Sequence, residues 1–234
     1  MFTKNYEFRY SDLDKNRNIK LSILVDILQD ISIFHSHVVG LDLETLHTDS
    51  LAWLLEGWRI RFEKPFDPYK TAVAKTGIMK LGRCDAVRKY EVFQENELKI
   101  KATAVWYTVN MDKRKIVRVP EGVADYYDSV SEEDNNLPYI KLKPDNEAVL
   151  MGTTKVEQRD IDTNNHMNNV KSLEAALEFL PEDLDVSELK IKYLKELRKG
   201  EIISVYKSEK ENGFYFDLRN ENGDICVIVN IEKE

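Results

Sequence analysis

The chain has 234 residues, 42% hydrophobic and 32% charged, which suits a packed globular protein that buries well over half of its unfolded surface and argues against disorder. Its 42 acidic against 34 basic residues give a net charge of −8, so no basic excess is on hand to neutralise the phosphates of a nucleic acid. No uncharged apolar run approaches the roughly 18 residues of a membrane span, and the opening MFTKNYEFRYSDLD lacks the apolar stretch of a secretory signal, so neither spanning nor secretion is expected.

From Leu21 to His37 the apolar residues Leu21, Leu24, Val25, Leu28, Ile31 and Phe34 recur at helical spacing, with Asp26, Gln29 and Asp30 between them, and predict one buried helix. Strand-like runs follow at 51–63, 71–82, 85–96 and 98–111. Several alternate apolar with polar residues and are bounded by Pro, Gly or Asn, as half-buried antiparallel strands should be. The acid-, Asn- and Pro-rich stretch that ends in LPYIKLKPDNE then interrupts the pattern, and residues 131–147 read as a linker between domains at 1–130 and 148–234. Beyond it the order returns: a short strand VLMGTTKVEQ, a polar segment RDIDTNNHMNN, a helix NNVKSLEAALEFL and four more strand-like runs to the end. Helix first and sheet afterwards, twice over, is an internal repeat of α+β units. Cys84 and Cys226 stand far apart in apolar or strand-like surroundings and read as reduced thiols of a cytoplasmic protein.

The repeat can be tested residue by residue. SDLDKNRNIKL (11–21) overlays RDIDTNNHMNN (159–169) at a constant offset, matching Asp12 to Asp160, Asp14 to Asp162 and Asn16 to Asn164, while Asn18 falls where the second copy has His166. WRIRFEKPF and LKIKYLKEL match at a different offset, with Pro65 opposite Glu196. The turn-forming residues are present in both copies; the ionisable pair, His166 and Glu196, is present in one.

Asp162, Asn164 and His166 are spaced at i, i+2, which aligns side chains in an extended or turn segment and not along a helix face. They lead into a helix whose first-turn amides suit a developing oxyanion, and His166 adds an imidazole, a side chain suited to general acid–base work. Asp and Asn before a helix are also ordinary N-caps, so capping and chemistry both stand at this point. A lone Glu such as Glu196, on an expected strand end between lysines, is ordinarily a solvated residue. His35 and His37 point to different helix faces and His47 stands alone, so no metal site is predicted, nor any cofactor. There is no Gly-rich phosphate loop and no nucleophile elbow. Trp53 and Trp58 flank LLEG as candidates for a pocket wall or plain core.

DIDTNNHMNNVKSLEAALEFLP resembles the D-L-D-x-N-x-H-V-N-N-x-x-Y segment of the acyl-acyl carrier protein thioesterases, and IKYLKEL resembles that family's Y-R-R-E-C segment. The opening FRYSDLDKNRNIKLSILVDILQDISIFHS and WLLEGWRIRFEKPF look like its first half. The resemblance implies an α+β tandem hotdog fold, each half a long helix wrapped by an antiparallel sheet, with Asp162, Asn164, His166 and Glu196 as catalytic residues. It implies an acyl-phosphopantetheine on acyl carrier protein as substrate and partner, and an apolar slot for the acyl chain beside the first helix and WLLEGWRIRF. The cysteine that ends the plant motif is Leu197 here, which points to a water mechanism. Docking an acidic carrier calls for a basic face, with Arg83, Arg88 and Lys89, or Lys190, Lys192, Lys195, Arg198 and Lys199, as candidates. An acyl-CoA thioesterase and a non-catalytic hotdog acyl-binding module are the alternatives; chain length and pairing into a homodimer stay open.

Overall fold

A computed structural model describes residues 1–40, 50–127, 130, 137–182 and 184–233. His47 and the first part of the predicted linker lie outside them. The chain divides into two compact units, Met1–Glu56 with Ile60–Tyr139, and Gly57–Arg59 with Ile140–Glu234.

The first unit contains β1 (Phe2–Tyr6), α1 (Leu21–Val38), β2 (Leu51–Phe62), β3 (Ala72–Leu81), β4 (Asp85–Gln94), β5 (Glu97–Asn110), the two-residue β6 (Lys115–Ile116) and a single helical turn, α2 (Val123–Tyr126). Its strands lie in the order β1-β3-β4-β5-β2, with β6 on β5. The pairs β1/β3, β3/β4 and β4/β5 are antiparallel. The β4–β5 hairpin turns on Glu95 and Asn96, both at positive φ (49° and 66°), the backbone that matches the twist of paired strands.

Register fixes which residues face α1. Ile78, Arg88 and Ala104 stand abreast on β3, β4 and β5, and Thr76, Tyr90 and Ala102 form the next row. From α1, Ser32 meets Tyr90 (Oγ to OH 2.7 Å) and His35 meets Arg88, which places this face under the helix. Leu28 and Ile31 are fully buried there, as the helical spacing requires. The opposite face is covered as well: Leu137 is buried, and its carbonyl accepts from Thr103 Oγ1 at 2.7 Å. Trp53 packs against the cluster of Ile78, Ala86, Val123 and Tyr127, and Trp58 is fully buried, so both tryptophans serve as core.

The second unit contains β7 (Val149–Lys155), α3 (Asn169–Leu177), β8 (Val186–Tyr193), β9 (Ile202–Lys210), β10 (Gly213–Arg219) and β11 (Ile225–Lys233). Its order β7-β9-β10-β11-β8 repeats the permutation of the first unit, and all its pairs are antiparallel. Two hotdogs in tandem are therefore present, each a helix against an antiparallel sheet. They differ in one respect from the expected pair of long helices: α1 has 18 residues and α3 only 9. The amides of Phe179 and Leu180 turn to carbonyls three residues back, at 3.2 and 3.0 Å, tightening the last turn, and Pro181 follows. Residues 140–147 run over this unit, held by Lys192 Nζ on the Leu142 carbonyl and by the Tyr215 hydroxyl, which accepts the Asp145 amide at 3.0 Å.

Candidate active site

The segment between β7 and α3 begins with a 3-10 turn, Gln158–Asp160, in which Asp160 Oδ2 accepts the Glu157 amide at 2.8 Å. The Asp160 carbonyl then accepts the Asn168 amide (2.8 Å), and the Asp162 amide donates to the His166 carbonyl (3.0 Å). These bonds pinch residues 160–168 into a tight loop, with Ile161 and Met167 bridged across its neck. At its tip Asp162 Oδ1 accepts the Asn164 amide (2.8 Å), and Asn165 takes φ 64°, a left-handed conformation that asparagine tolerates.

This arrangement separates the two readings of the polar segment. The N-cap of α3 is Asn168, whose side chain accepts the Val170 amide at 2.8 Å. Asp162, Asn164 and His166 do not cap the helix; Asp162 shapes its own turn. Because Asn168 already occupies the Val170 amide, that first-turn N–H is not available to an oxyanion.

His166 and Asp162 converge: Nδ1 lies 3.8 Å from Asp162 Oδ1, and the side chains are 15% and 20% exposed. Asn164 is exposed at the loop tip. Glu196 does not sit on a strand end, as expected, but three residues beyond it, because the amides of Leu194 and Lys195 both turn to the Cys226 carbonyl (2.8 and 3.2 Å) and end the β8 ladder at Tyr193. Glu196 is exposed, and its Oε2 accepts from Arg198 Nη2 at 3.3 Å. The Met167 amide donates to the Leu197 carbonyl at 2.7 Å, the Gly200 amide to the Val156 carbonyl at 2.9 Å, and Lys199 Nζ to Gln158 Oε1 at 2.6 Å. Three bonds thus hold the segment carrying Glu196 against the segment carrying His166.

The first unit repeats this loop at an offset of 148 residues, from Asp14 to Asp162. The Asp14 amide donates to the Asn18 carbonyl (2.8 Å), the Lys20 amide to the Asp12 carbonyl (2.9 Å), and Asp14 Oδ1 accepts the Asn16 amide (2.9 Å). Arg17 takes φ 68° where Asn165 takes 64°, and Leu13 bridges Ile19 as Ile161 bridges Met167. Lys20 and Asn168 share φ −56° and ψ 138°, although Lys20 supplies no side-chain cap. Shape is duplicated; the imidazole is not.

Among the described residues no group of three His, Cys, Asp or Glu is placed to hold a metal. His35 is buried and stacked on Phe2, with ring centroids 5.1 Å apart. Cys226 is buried with its thiol raised by that burial, so it offers no ready thiolate.

The expected basic docking faces are largely absent as surfaces. Arg88 is buried beneath α1, and Lys89 is buried on the other face beside Glu91 (3.0 Å). Lys190 is buried between Glu188 and Glu232, and Lys195 is paired with Asp224 at 2.8 Å. Arg83, Arg198 and Lys199 remain exposed, the last two engaged at the site. Basic residues on these strands are internal because both faces of each strand are covered or ion-paired. A cavity of about 250 Å³ beside α1 is lined by Tyr6, Phe8, Ile23 and Ile27 but also by Asp12, Asp26 and Asp30, an acidic wall unsuited to a hydrocarbon chain.

Family models described as the acyl-ACP thioesterase N-terminal domain and C-terminal domain match residues 1–127 and 143–233. The chain is 21% identical over 253 residues to a chloroplastic palmitoyl-acyl carrier protein thioesterase of Cuphea hookeriana, covering 97% of this chain and 60% of that protein. It is 25% identical over 246 residues to the chloroplastic oleoyl-acyl carrier protein thioesterase 2 of Arabidopsis thaliana, covering 95% of this chain and 67% of the relative. The chain therefore spans about three-fifths to two-thirds of the length of these relatives. In structure it is similar to an acyl-ACP thioesterase from Bacteroides thetaiotaomicron, with a TM-score of 0.87 at 21% identity, covering 100% of this chain and 97% of the other. It is also similar to the 12:0-ACP thioesterase from Umbellularia californica, with a TM-score of 0.85 at 17% identity, covering 100% and 96%. No helix among the described residues is long and apolar enough to cross a membrane.

Proposed function

The chain belongs to the acyl-ACP thioesterase family, and from that membership we propose that it hydrolyses the thioester joining a fatty acyl chain to the phosphopantetheine of acyl carrier protein, with Asp162, Asn164, His166 and Glu196 as the catalytic group. The observation that carries the reading is the difference between the two loops: both have the same backbone, and the imidazole stands only in the loop bonded to the segment of Glu196.

In this mechanism His166 and Glu196 orient a water molecule and take its proton as its oxygen attacks the thioester carbonyl carbon. The carbonyl oxygen becomes an oxyanion, held by the side-chain amide of Asn164. The tetrahedral intermediate collapses with cleavage of the C–S bond; the thiolate leaves, is protonated, and the free fatty acid remains. Thiolates leave readily, so little acid assistance is needed. Asp162 holds the loop tip through the Asn164 amide and faces the imidazole at 3.8 Å, which helps to fix the ring's place beside the loop.

The test is thiol release from a panel of acyl carrier protein and CoA thioesters by the full chain. Turnover of the carrier-protein thioesters is expected; a preference for CoA thioesters moves the substrate class, and activity on neither overturns the enzymatic reading in favour of a binding module.

A further inference from the structure

The second unit ends in an uncovered strand. Among the described residues β7 pairs with β9 and with no other strand, so its far side carries a row of N–H and C=O groups without a strand neighbour. Val149, Leu150 and Met151 follow one another along it, at 62%, 55% and 43% exposure. A groove of about 350 Å³ lies beside them, lined by Glu147, Val149, Met151, Lys207, Ser208 and Glu209.

The first unit shows what β7 lacks. Its edge strand β1 holds the same place in the strand order, and the offset of 148 sets Phe2 where the second unit has Leu150. There α1 covers the strand: Phe2 stacks on His35, while Lys4 reaches Asp30 at 2.6 Å and lies over the Phe34 ring. The same offset carries Asp30 to Glu178 and Phe34 to Glu182, both past the end of α3 at Leu177. Among the described residues, the helical turns that shield β1 thus have no counterpart over β7.

An apolar run on an open strand edge is a template for another strand, and the charges that flank it select which one. Glu147 precedes the run and is 80% exposed even with Lys210 at 2.8 Å, and the exposed Lys155 closes it. These two residues lie equally far before and after Met151. If β7 pairs antiparallel with a second β7 about a two-fold axis at Met151, each Glu147 meets the Lys155 of the other copy, and Leu150 falls beside Gly152, which has no side chain to obstruct it. An axis at Gly152, the midpoint of β7, would instead set Glu147 against Glu157. Met151 is also the extra residue of a bulge: Leu150 pairs with Tyr206 and Gly152 with Val205, so Met151 has no partner on β9, and the ladder resumes through Lys155.

We propose that β7 is a self-association edge, through which two copies of the chain pair antiparallel about a two-fold axis at Met151 and continue the sheet of one second unit into that of the other. The pairing is independent of thioester cleavage.

The experiment is sedimentation velocity of the full chain over a range of concentrations, with hydrogen exchange at the β7 amides. A dimer is expected to form with rising concentration and to slow exchange along β7. Glu147→Lys and Lys155→Glu should each weaken it about tenfold or more, and the double variant should regain most of the parental affinity. Met151→Lys and Met151→Glu each place like charges on the axis and should remain monomeric alone, whereas an equimolar mixture of the two should associate. A parent that is monomeric at every concentration overturns the proposal, as does a dimer indifferent to residues 147, 151 and 155. Protection of β7 that develops in a monomeric chain only when acyl carrier protein is added also overturns it and gives the edge to that partner. Folding of each variant is read by near-ultraviolet circular dichroism; should Glu147→Lys not fold, since it also loses the Lys210 pair, the two exposed Met151 substitutions decide the matter.

Discussion

The amide of Met167 donates to the carbonyl of Leu197 at 2.7 Å, so the residue after His166 is tied to the residue after Glu196. Met167 and Leu197 are both buried; of their predecessors, Glu196 is exposed and His166 is only partly so. The bond therefore acts as a clasp beneath the two side chains proposed to activate water.

His166→Ala and Glu196→Gln should each lower thioester hydrolysis by about 10² to 10⁴, the usual contribution of a general acid or base. Neither substitution removes the clasp, which is made by backbone atoms, so the melting temperature should stay near that of the parent. Rates close to the parental value in folded variants would remove these residues from the chemistry.

The two helix entries make opposite predictions. Asn168→Ala should cost about 1 kcal/mol by freeing the Val170 amide. Lys20→Asn, at the same backbone angles but without an existing side-chain cap, should gain roughly 0.5–1 kcal/mol. Chemical denaturation of both variants checks the pair, and a loss at Lys20→Asn would show that its Nζ bond to the Ser11 carbonyl outweighs a cap.

Asp145 carries a pH prediction. Lys210 first, then Ser208 and the Glu147 amide, pull its carboxyl from 3.8 down to about 2. A depressed carboxyl stabilises the fold above its unfolded value, and that contribution drains away as pH falls from about 4 to about 2. Asp145→Asn should therefore be less stable than the parent at neutral pH, with the two curves converging across that window. A gap that persists unchanged at pH 2 would contradict the assignment.

Gly213 opens β10 at φ 153°, and an added Cβ would lie 1.9 Å from the Ile231 carbonyl oxygen on β11. Gly213→Ala should destabilise the chain on the order of 3 kcal/mol, since the obstacle is backbone and not a movable side chain. Thermal unfolding reads the effect directly; a shift under a degree would mean that the hairpin rearranges.

Much of this was legible in the sequence because it rests on local periodicity and on a repeat. The nine longer strands and both long-range helices follow from alternation and helical spacing, and the match of Asp14 to Asp162 anticipates two loops with the same hydrogen bonds. What escaped depends on partners distant in sequence. The five residues of β1 become a strand only by pairing with β3, and α2 is one turn held by its surroundings. Glu196 was displaced from its expected strand because the Cys226 carbonyl gathers two amides, which no local pattern announces. Arg88 and Lys89 read as surface because charged residues on a strand ordinarily face water. Here α1 covers one face and Leu137 the other, a cover assembled by chain returning from far away.

The twin loops have a bearing on descent. An aspartate, a left-handed residue and a handful of main-chain bonds build the bend, and position 18 joins it through its backbone, so the bend described does not call on the identity of its side chain. One half of a duplicated ancestor can lose its reactive group by drift and still leave a sound scaffold, and the inert half then becomes free to acquire a different task.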